Sequence, residues 1–518
     1  MVGDVDIFAA PSGEDGPVEH AAIQVQGVRT VPLAGATAAD DDMIFARMRW
    51  ANGIPGGDAM DFDAETTPLE RDLVEAAERA AIFYRCKYKH ARKEWADDTL
   101  DDVLTATEPF KNYIEVRIIH KVGEIMSRVF DGEDVVPEEQ PIPSELLAEY
   151  YADAVGVHPS GQWLGRGVKQ LAHRYPNMNI LEGFSSYTYT DISADFFEEA
   201  TSIFAPYKKR MTFKTLDAAR DSVSQGYTPR LYGLVVMSAV IHATPRLEQT
   251  LRNLRRLLRP GGFLIINEST SSAWARDGFV FGTMPGWWSG AEEGRALSPL
   301  VPPEHWDEVL RNSGFSGVDT ITPDTFQEAH SNVVFVSQAV DDTVSFLREP
   351  LSAPLPATVY AGGDGASLED LVIIGGSTLR MGRVVSDLKR VLGAHVSGSI
   401  TAFKSLLDLP VDFNPSPDAC VLDMSGLDVP VFKDLIAAGF DALKRLVAVE
   451  HTLLWVTRGK LAGDPAASMS VGFLRTATHE VPGLRVQCVD LDPGSGNGQV
   501  DASVLAETLQ RFWHLARI

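Results

Sequence analysis

Residues 231–270 read LYGLVVMSAVIHATPRLEQTLRNLRRLLRPGGFLIINEST. An apolar run, Leu234 to Val240, ends in a polar cluster at His242. An Arg- and Leu-rich segment with helical spacing follows. Pro260-Gly261-Gly262 breaks it, and a second apolar run, Phe263 to Ile266, ends at Glu268. Two short apolar runs bounded by turn signals, with a helix between them, predict a βαβ unit in a buried parallel sheet. In open α/β sheets ligands bind beyond the carboxyl ends of the strands. His242 and Glu268 both fall there.

The surrounding chain has 518 residues, too many for one core; at roughly 100–200 residues per domain, three or four units are expected. Its hydrophobic fraction of 45% and charged fraction of 23% describe an ordinary globular composition. A net charge of -25 argues against a general nucleic-acid surface and against an anionic membrane surface, although Arg246 to Arg259 could form a local basic patch. Cys86, Cys420 and Cys488 are far apart and form no CxxC pair. This predicts a reducing, cytoplasmic setting with no disulfide framework and no metal cluster. No apolar run approaches the roughly 18 residues of a membrane span, and no signal-peptide pattern opens the chain. Strand-like sequence begins almost at Met1, as expected of a segment cut from a longer protein.

The strand and helix signals alternate over most of the length, so the expected class is α/β. Residues 1–50 are a short β-rich segment and 51–68 a Gly/Pro/Asp linker. From Leu69 to about Tyr151 the pattern is helical, a cap beside the α/β unit. Strands are expected at 179–182, at 186–191 and at 211–217, ahead of the βαβ unit. A second linker is placed at 346–366. A further α/β unit follows, with strands at LVIIGG, CVLDMSG, TLLWVTRG and LRVQCVDLDPG, and a C-terminal helix.

Several phrases carry a family resemblance: YTYTDIS, FKTLD, the strand ending in IHAT, LRPGGFLIINEST, and MPGWW followed by HWDEVLRNSGF. Over roughly residues 60–340 they resemble the C-methyltransferase domain of fungal-type, highly reducing iterative polyketide synthases and their hybrids with peptide synthetases. In the same family, residues 1–50 resemble the tail of a dehydratase hot-dog domain, and 366–518 the structural, non-catalytic half of a ketoreductase. The resemblance implies a class I, Rossmann-like methyltransferase sheet with a helical N-terminal cap (51–158) and core (159–345). After the 346–366 linker it implies a truncated pseudo-ketoreductase at 367–518.

The implied reaction is methyl transfer from S-adenosylmethionine to the α-carbon of a β-ketoacyl chain tethered by phosphopantetheine to an acyl carrier protein. Neighbouring dehydratase and ketoreductase domains are the other implied partners; nucleic acid and membrane are not. A carbon acid between two carbonyls must lose a proton, and histidine is the natural base. A carboxylate on the other ring nitrogen fixes its tautomer and stabilises the imidazolium. His242 and Glu268 lie 26 positions apart, one helix plus a turn. The resemblance makes them base and orienter. Alone, a histidine after a strand is more often a cap or core residue, and a strand-end glutamate is usually solvated. The resemblance also implies cofactor contacts from Glu182, Asp191, Leu216, Asp217 and Ser238; Asp191 would bind the ribose hydroxyls and Asp217 the adenine amine. Trp287 and Trp288 read equally well as a substrate lid or as core. Ala239 departs from the asparagine expected there.

The largest departure follows Leu181-Glu182-Gly183-Phe184, where the family has a Gly-rich loop and a helix. Parallel neighbours need a crossover of about a dozen residues, so the short link here predicts an antiparallel hairpin that would destroy the binding end. Two readings follow. Either residues are missing between Glu182 and Gly183 in the sequence as read, so that the two are not covalently joined, or the loop is truly deleted. The second makes the chain a catalytically inactive scaffold. A third reading, an NADPH reductase fragment, meets two objections. Gly375, Gly376 and Gly382 do not fit G-x-G-x-x-G, and no tyrosine follows Tyr360.

Overall fold

The computed structural model describes residues 66–86, 98–130, 142–155, 157–174, 180–181, 187–270, 274–323, 332–352, 368–460, 464–491 and 500–515. The expectations for residues 1–50 and for Glu182 and its junction to Gly183 lie outside these. The chain forms two compact units, Met1–Val340 and Asp341–Ile518.

In the first unit, helices α1 (Pro68–Cys86), α2 (Leu100–Thr107), α3 (Ile114–Phe130), α4 (Ser144–Asp153) and α5 (Val157–Arg174) precede the sheet. The sheet begins with β1 (Ile180–Leu181) and β2 (Tyr187–Asp191). After α6 (Phe197–Ile203) come β3 (Met211–Thr215), β4 (Tyr232–Ser238), α7 (Leu247–Leu257) and β5 (Leu258–Ser269). Helices α8 (Ala275–Phe281) and α9 (Pro303–Asn312) and strands β6 (Thr320–Ile321) and β7 (Asn332–Gln338) complete it. The spatial order is β3-β2-β1-β4-β5-β7-β6. Strands β1 to β5 pair in parallel, and β7 runs antiparallel to both β5 and β6. The carboxyl ends of five strands therefore share one edge.

The central strands are apolar throughout because both faces are covered. Leu234, Val236, Phe263, Ile265, Val334 and Val336 pack against Trp163 and Leu171 of α5. The alternate residues Val235, Met237, Leu264, Ile266, Val333 and Phe335 pack against Leu251 and Leu254 of α7 and Trp306 and Leu310 of α9. Of the arginines expected to form a local basic patch, Arg255 and Arg256 line a surface pocket with Arg230, and those of α7 are engaged as follows. Arg252 pairs with Glu248, Arg256 with Asp221, and Arg255 donates to the carbonyls of Gly314, Leu258 and Val340. The Pro260-Gly261-Gly262 turn falls inside β5, as a bulge between the Tyr232–Leu258 and Leu234–Phe263 pairs, with Gly261 at φ 76.

Ile180 of β1 pairs in parallel with Tyr187 of β2, so the strands keep the parallel order that both readings of the short link presuppose and no antiparallel hairpin forms. The link between them, residues 182–186, lies outside the described residues.

The helical cap has its own core, in which Ala77, Ala80 and Ala81 of α1 meet Ile118, Ile119 and Val122 of α3, and Phe279 and Val280 of α8. Glu78, 1% exposed, fixes the join. Its carboxyl accepts from the N–H groups of Ala275 (2.6 Å) and Arg276 (3.0 Å), the first residues of α8. These are donors that no helix satisfies internally.

The second unit contains α10 (Asp342–Arg348), which reaches into the stretch expected to begin a linker at 346. It continues through β8 (Leu371–Ile374), α11 (Leu379–Leu392), β9 (Ile400–Phe403), β10 (Cys420–Asp423) and α12 (Ala437–Val447). It ends with β11 (Thr452–Arg458), α13 (Pro465–Glu480), β12 (Arg485–Leu491) and α14 (Ala502–Leu515). The sheet is wholly parallel in the order β12-β11-β10-β8-β9, a doubly wound arrangement whose switch point lies between β8 and β10. Among the described residues no helix is long and apolar enough to cross a membrane, and no group of His, Cys, Asp or Glu could hold a metal.

Candidate active site

Strand β4 ends at Ser238, and the chain turns sharply to follow the sheet edge. Ala239 sits at φ 53, a left-handed conformation that costs a residue with a Cβ about 1–2 kcal/mol, glycine and asparagine being the tolerant types. The asparagine expected at this position thus has a backbone reason. Ala239→Asn is expected to raise the unfolding free energy by up to about 1 kcal/mol, measured by urea titration.

A short 3-10 turn, Ile241–Ala243, then carries His242 back over the end of β5. Glu268 is fully buried there, at 0% exposure. Its Oε1 accepts from the N–H groups of Val240 (3.0 Å), Ile241 (2.6 Å) and His242 (3.4 Å). Its Oε2 pairs with His242 Nδ1. One buried carboxylate therefore builds the turn and binds the imidazole. Burial acts to lower the imidazole pKa. The charge of Glu268 and its hydrogen bond outweigh that, and the net shift is upward. With Nδ1 committed to Glu268, Nε2 is the nitrogen left for a reacting group.

His242 lines a cavity of about 220 Å³ roofed by the cap: Tyr150 and Tyr151 come from α4 and Glu115 from α3, while Phe281 and Trp287 form part of its wall. Burial pushes the Tyr150 hydroxyl pKa up. Trp287 is buried at 6% and Trp288 is 46% exposed, its Nε1 donating to the Gly282 carbonyl at 3.0 Å. Trp287 is thus packed into the wall of the cavity, while Trp288 faces outward. An open groove of about 950 Å³, lined by Trp274, Trp288 and Leu297, shares Trp287 and Leu300 with the cavity.

The other expected residues lie along the same sheet edge. Asp191 closes β2, and its Oδ1 accepts from Ser193 N at 3.0 Å. Asp217 follows β3, and its Oδ1 accepts from Ala219 N at 3.0 Å. Each turn uses one carboxylate oxygen. Leu216 differs from its neighbours: its side chain is buried in the core, and its N–H donates to the Asp191 carbonyl at 2.9 Å. Ser238 is exposed and accepts from Asn267 Nδ2 at 3.0 Å. Sequence reasoning passed over Asn267, Glu78 and Arg295, which act through contacts distant in sequence.

The fit of S-adenosylmethionine divides in two. For the adenosine half, Asp191 and Asp217 offer carboxylates at adjacent strand ends, the acceptors that ribose hydroxyls and an exocyclic amine would require. The amino-acid half would face the β1–β2 link, which is five residues long and contains one glycine, Gly183.

The second unit holds a different arrangement at its switch point. The Asp428 carboxylate accepts from Gly376 N (3.2 Å), Ser377 N (3.0 Å) and Thr378 Oγ1 (2.5 Å) at the start of α11. Burial acts to raise its pKa, but these donors prevail and lower it. Two backbone N–H groups and a hydroxyl of this turn, of the kind a dinucleotide phosphate uses, are thus engaged by a carboxylate.

Residues 152–264 match the family model described as "Methyltransferase domain". The chain is 38% identical to the highly reducing polyketide synthase calA of Penicillium decumbens, over 98% of this chain and 19% of that protein. It is 35% identical to the hybrid PKS-NRPS synthetase poxE of Penicillium oxalicum, over 98% of this chain and 13% of that protein. The chain thus spans under a fifth of the length of these relatives. The calA match runs over 566 positions against the 518 of this chain, so that relative carries tens of residues without a counterpart here. Among solved structures, the citrinin polyketide synthase CMeT domain is similar at 20% identity and a TM-score of 0.40, covering 55% of this chain and 85% of that one. The CurJ carbon methyltransferase is similar at 19% identity and a TM-score of 0.42, covering 53% and 92%.

Proposed function

We propose that this chain, which contains the methyltransferase region of a fungal-type highly reducing polyketide synthase, methylates the α-carbon of a β-ketoacyl chain carried on an acyl carrier protein. The observation that carries the reading is the His242–Glu268 pair at the carboxyl edge of the sheet, facing the cavity under the cap. His242 Nε2 removes the α-proton, and Glu268 holds the Nδ1 proton and stabilises the imidazolium. General-base catalysis of this kind supplies about 10²–10⁴-fold. Asp191 and Asp217 would hold the adenosine half of S-adenosylmethionine, which when bound would supply the electrophilic methyl group that the α-carbon takes as its proton passes to His242. Glu182 lies outside the described residues and is assigned to this contact by resemblance alone. The tethered acyl chain enters through the open groove past Trp288, and Trp287 walls its reacting end.

The second unit serves as a structural pseudo-ketoreductase, a role supported by the engagement of Asp428 and the lack of a late tyrosine. The proteins it works beside are the dehydratase and ketoreductase domains of the same cytoplasmic synthase. The short β1–β2 link favours a second reading, a scaffold that no longer binds the methyl donor. Calorimetry with S-adenosylmethionine separates the two. It is paired with methylation of a β-ketoacyl thioester by wild type and by His242→Ala. Binding with His242-dependent turnover supports the first reading, and absence of binding supports the scaffold.

A further inference from the structure

We propose that Arg295 is a positioning residue for the catalytic base, clamping the turn that carries His242 from the side opposite to Glu268's backbone contacts. The inference rests on the proposed role of His242. Arg295 is 9% exposed. Its Nη1 donates to the carbonyls of His242 (2.7 Å) and Pro299 (3.2 Å), and its Nη2 to the carbonyl of Thr244 (2.6 Å). Its Nε donates to Glu293 at 3.0 Å, and that carboxylate in turn accepts from Leu247 N, at the start of α7. Glu268 takes the N–H groups of 240–242, and Arg295 takes the carbonyls of 242 and 244. The backbone of the turn is therefore held by a buried anion through its donors and a buried cation through its acceptors. A planar fork with five donors suits carbonyls in this spacing, and a lysine ammonium does not.

The loop is shaped for this guanidinium. A Cβ at Gly290 would stand 2.3 Å from Arg295 Cζ. Gly290 lies at φ -88, where alanine fits the backbone, so its lack of a side chain serves the clamp and not a turn. The charged groups nearest the imidazole come from three elements: Glu268 on β5, Asp277 on α8 and Arg295 on its loop. Glu115, Tyr150 and Arg276 line the same cavity. Of these, the positive charge of Arg295 opposes protonation of His242, whereas Glu268 and Asp277 favour it.

The test compares Arg295→Lys, Arg295→Met and Gly290→Ala in the full chain. The loss of alignment is expected to lower kcat by about 10–100-fold in all three, with KM changed little. In Arg295→Lys the acid limb of the kcat profile stays in place; in Arg295→Met, which removes the charge, it moves to higher pH. Gly290→Ala reproduces the kcat loss by displacing the guanidinium while leaving the arginine itself unsubstituted. Titration of the His242 imidazole by NMR reads the same shift without turnover. An Arg295→Met protein that is folded and keeps both the wild-type kcat and the wild-type imidazole titration overturns the inference. Activity surviving His242→Ala would instead overturn the function on which it rests. The NMR titration would then still report whether the clamp acts on the imidazole.

Discussion

Glu268→Gln is expected to lower methyl transfer by about 10²–10⁴-fold while leaving the fold intact. The amide oxygen can still accept the N–H groups of Val240, Ile241 and His242, so the turn survives. The amide nitrogen, however, donates toward Nδ1. This forces the imidazole to carry its proton on Nε2, the nitrogen that must act as base. Glu268→Ala is a different experiment. It leaves three turn donors without their acceptor, one of them, the Ile241 N–H, buried at a cost of about 1–3 kcal/mol, and mixes loss of chemistry with loss of structure. Circular dichroism should show Glu268→Gln melting close to wild type and Glu268→Ala well below it. A glutamine variant with wild-type turnover would dismiss the orienter role.

The pH dependence follows from the same pair. The imidazole pKa is raised in the folded chain. Catalysis needs the neutral ring, so the rate falls as pH drops through that raised value. The contribution to stability has the opposite sense: it is complete below the unfolded value near 6.5 and is lost as pH rises through the folded value. Glu268→Gln removes the anion that holds the pKa up, so the acid limb moves to lower pH. The activity that remains then extends further into acid.

What the sequence disclosed follows burial. Strands β4 and β5 are unbroken apolar runs because helices cover both faces, and they were legible at once. Strand β9 was not read: Ile400–Phe403 is an edge of four residues, half-buried, with no apolar run. Helix α13 was missed for another reason. It buries Ala467, Ser470, Leu474 and Ala477, a helical spacing written mostly in small or polar residues that a hydrophobic pattern barely registers. At the site, the 26-residue spacing of His242 and Glu268 gave their adjacency. The three backbone bonds of Glu268 and the clamp of Arg295 belong to tertiary contacts that no local pattern encodes.

The second unit is expected to show a nearly flat stability between about pH 4 and pH 6.5 that becomes steep in Asp423→Asn. Asp423 ends β10 at 1% exposure, with Oδ1 accepting from the Ser425 N–H and hydroxyl and Oδ2 buried without a hydrogen-bond partner. Burial pushes its pKa from 3.8 up to about 6 against the pull of those two bonds. Stability from this group is present below 3.8 and lost as pH rises through 6, about 3 kcal/mol at 1.36 kcal/mol per unit. His451, at 0% exposure, moves the other way. Burial brings its pKa from 6.5 down to about 4, against a hydrogen bond to the Val449 carbonyl. An imidazole kept neutral by the fold costs stability as pH falls below 6.5, again by about 3 kcal/mol. The two contributions occupy the same window with opposite signs and cancel in the wild type. Asp423→Asn keeps an acceptor for Ser425 and removes the titration, which leaves His451 alone. Stability of the second unit in the full chain should then climb by about 3 kcal/mol between pH 4 and pH 6.5. At pH 7 the variant should exceed wild type, and at pH 4 it should not. Urea unfolding at both pH values checks this, and parallel profiles for the two proteins would show that Asp423 does not titrate in this window.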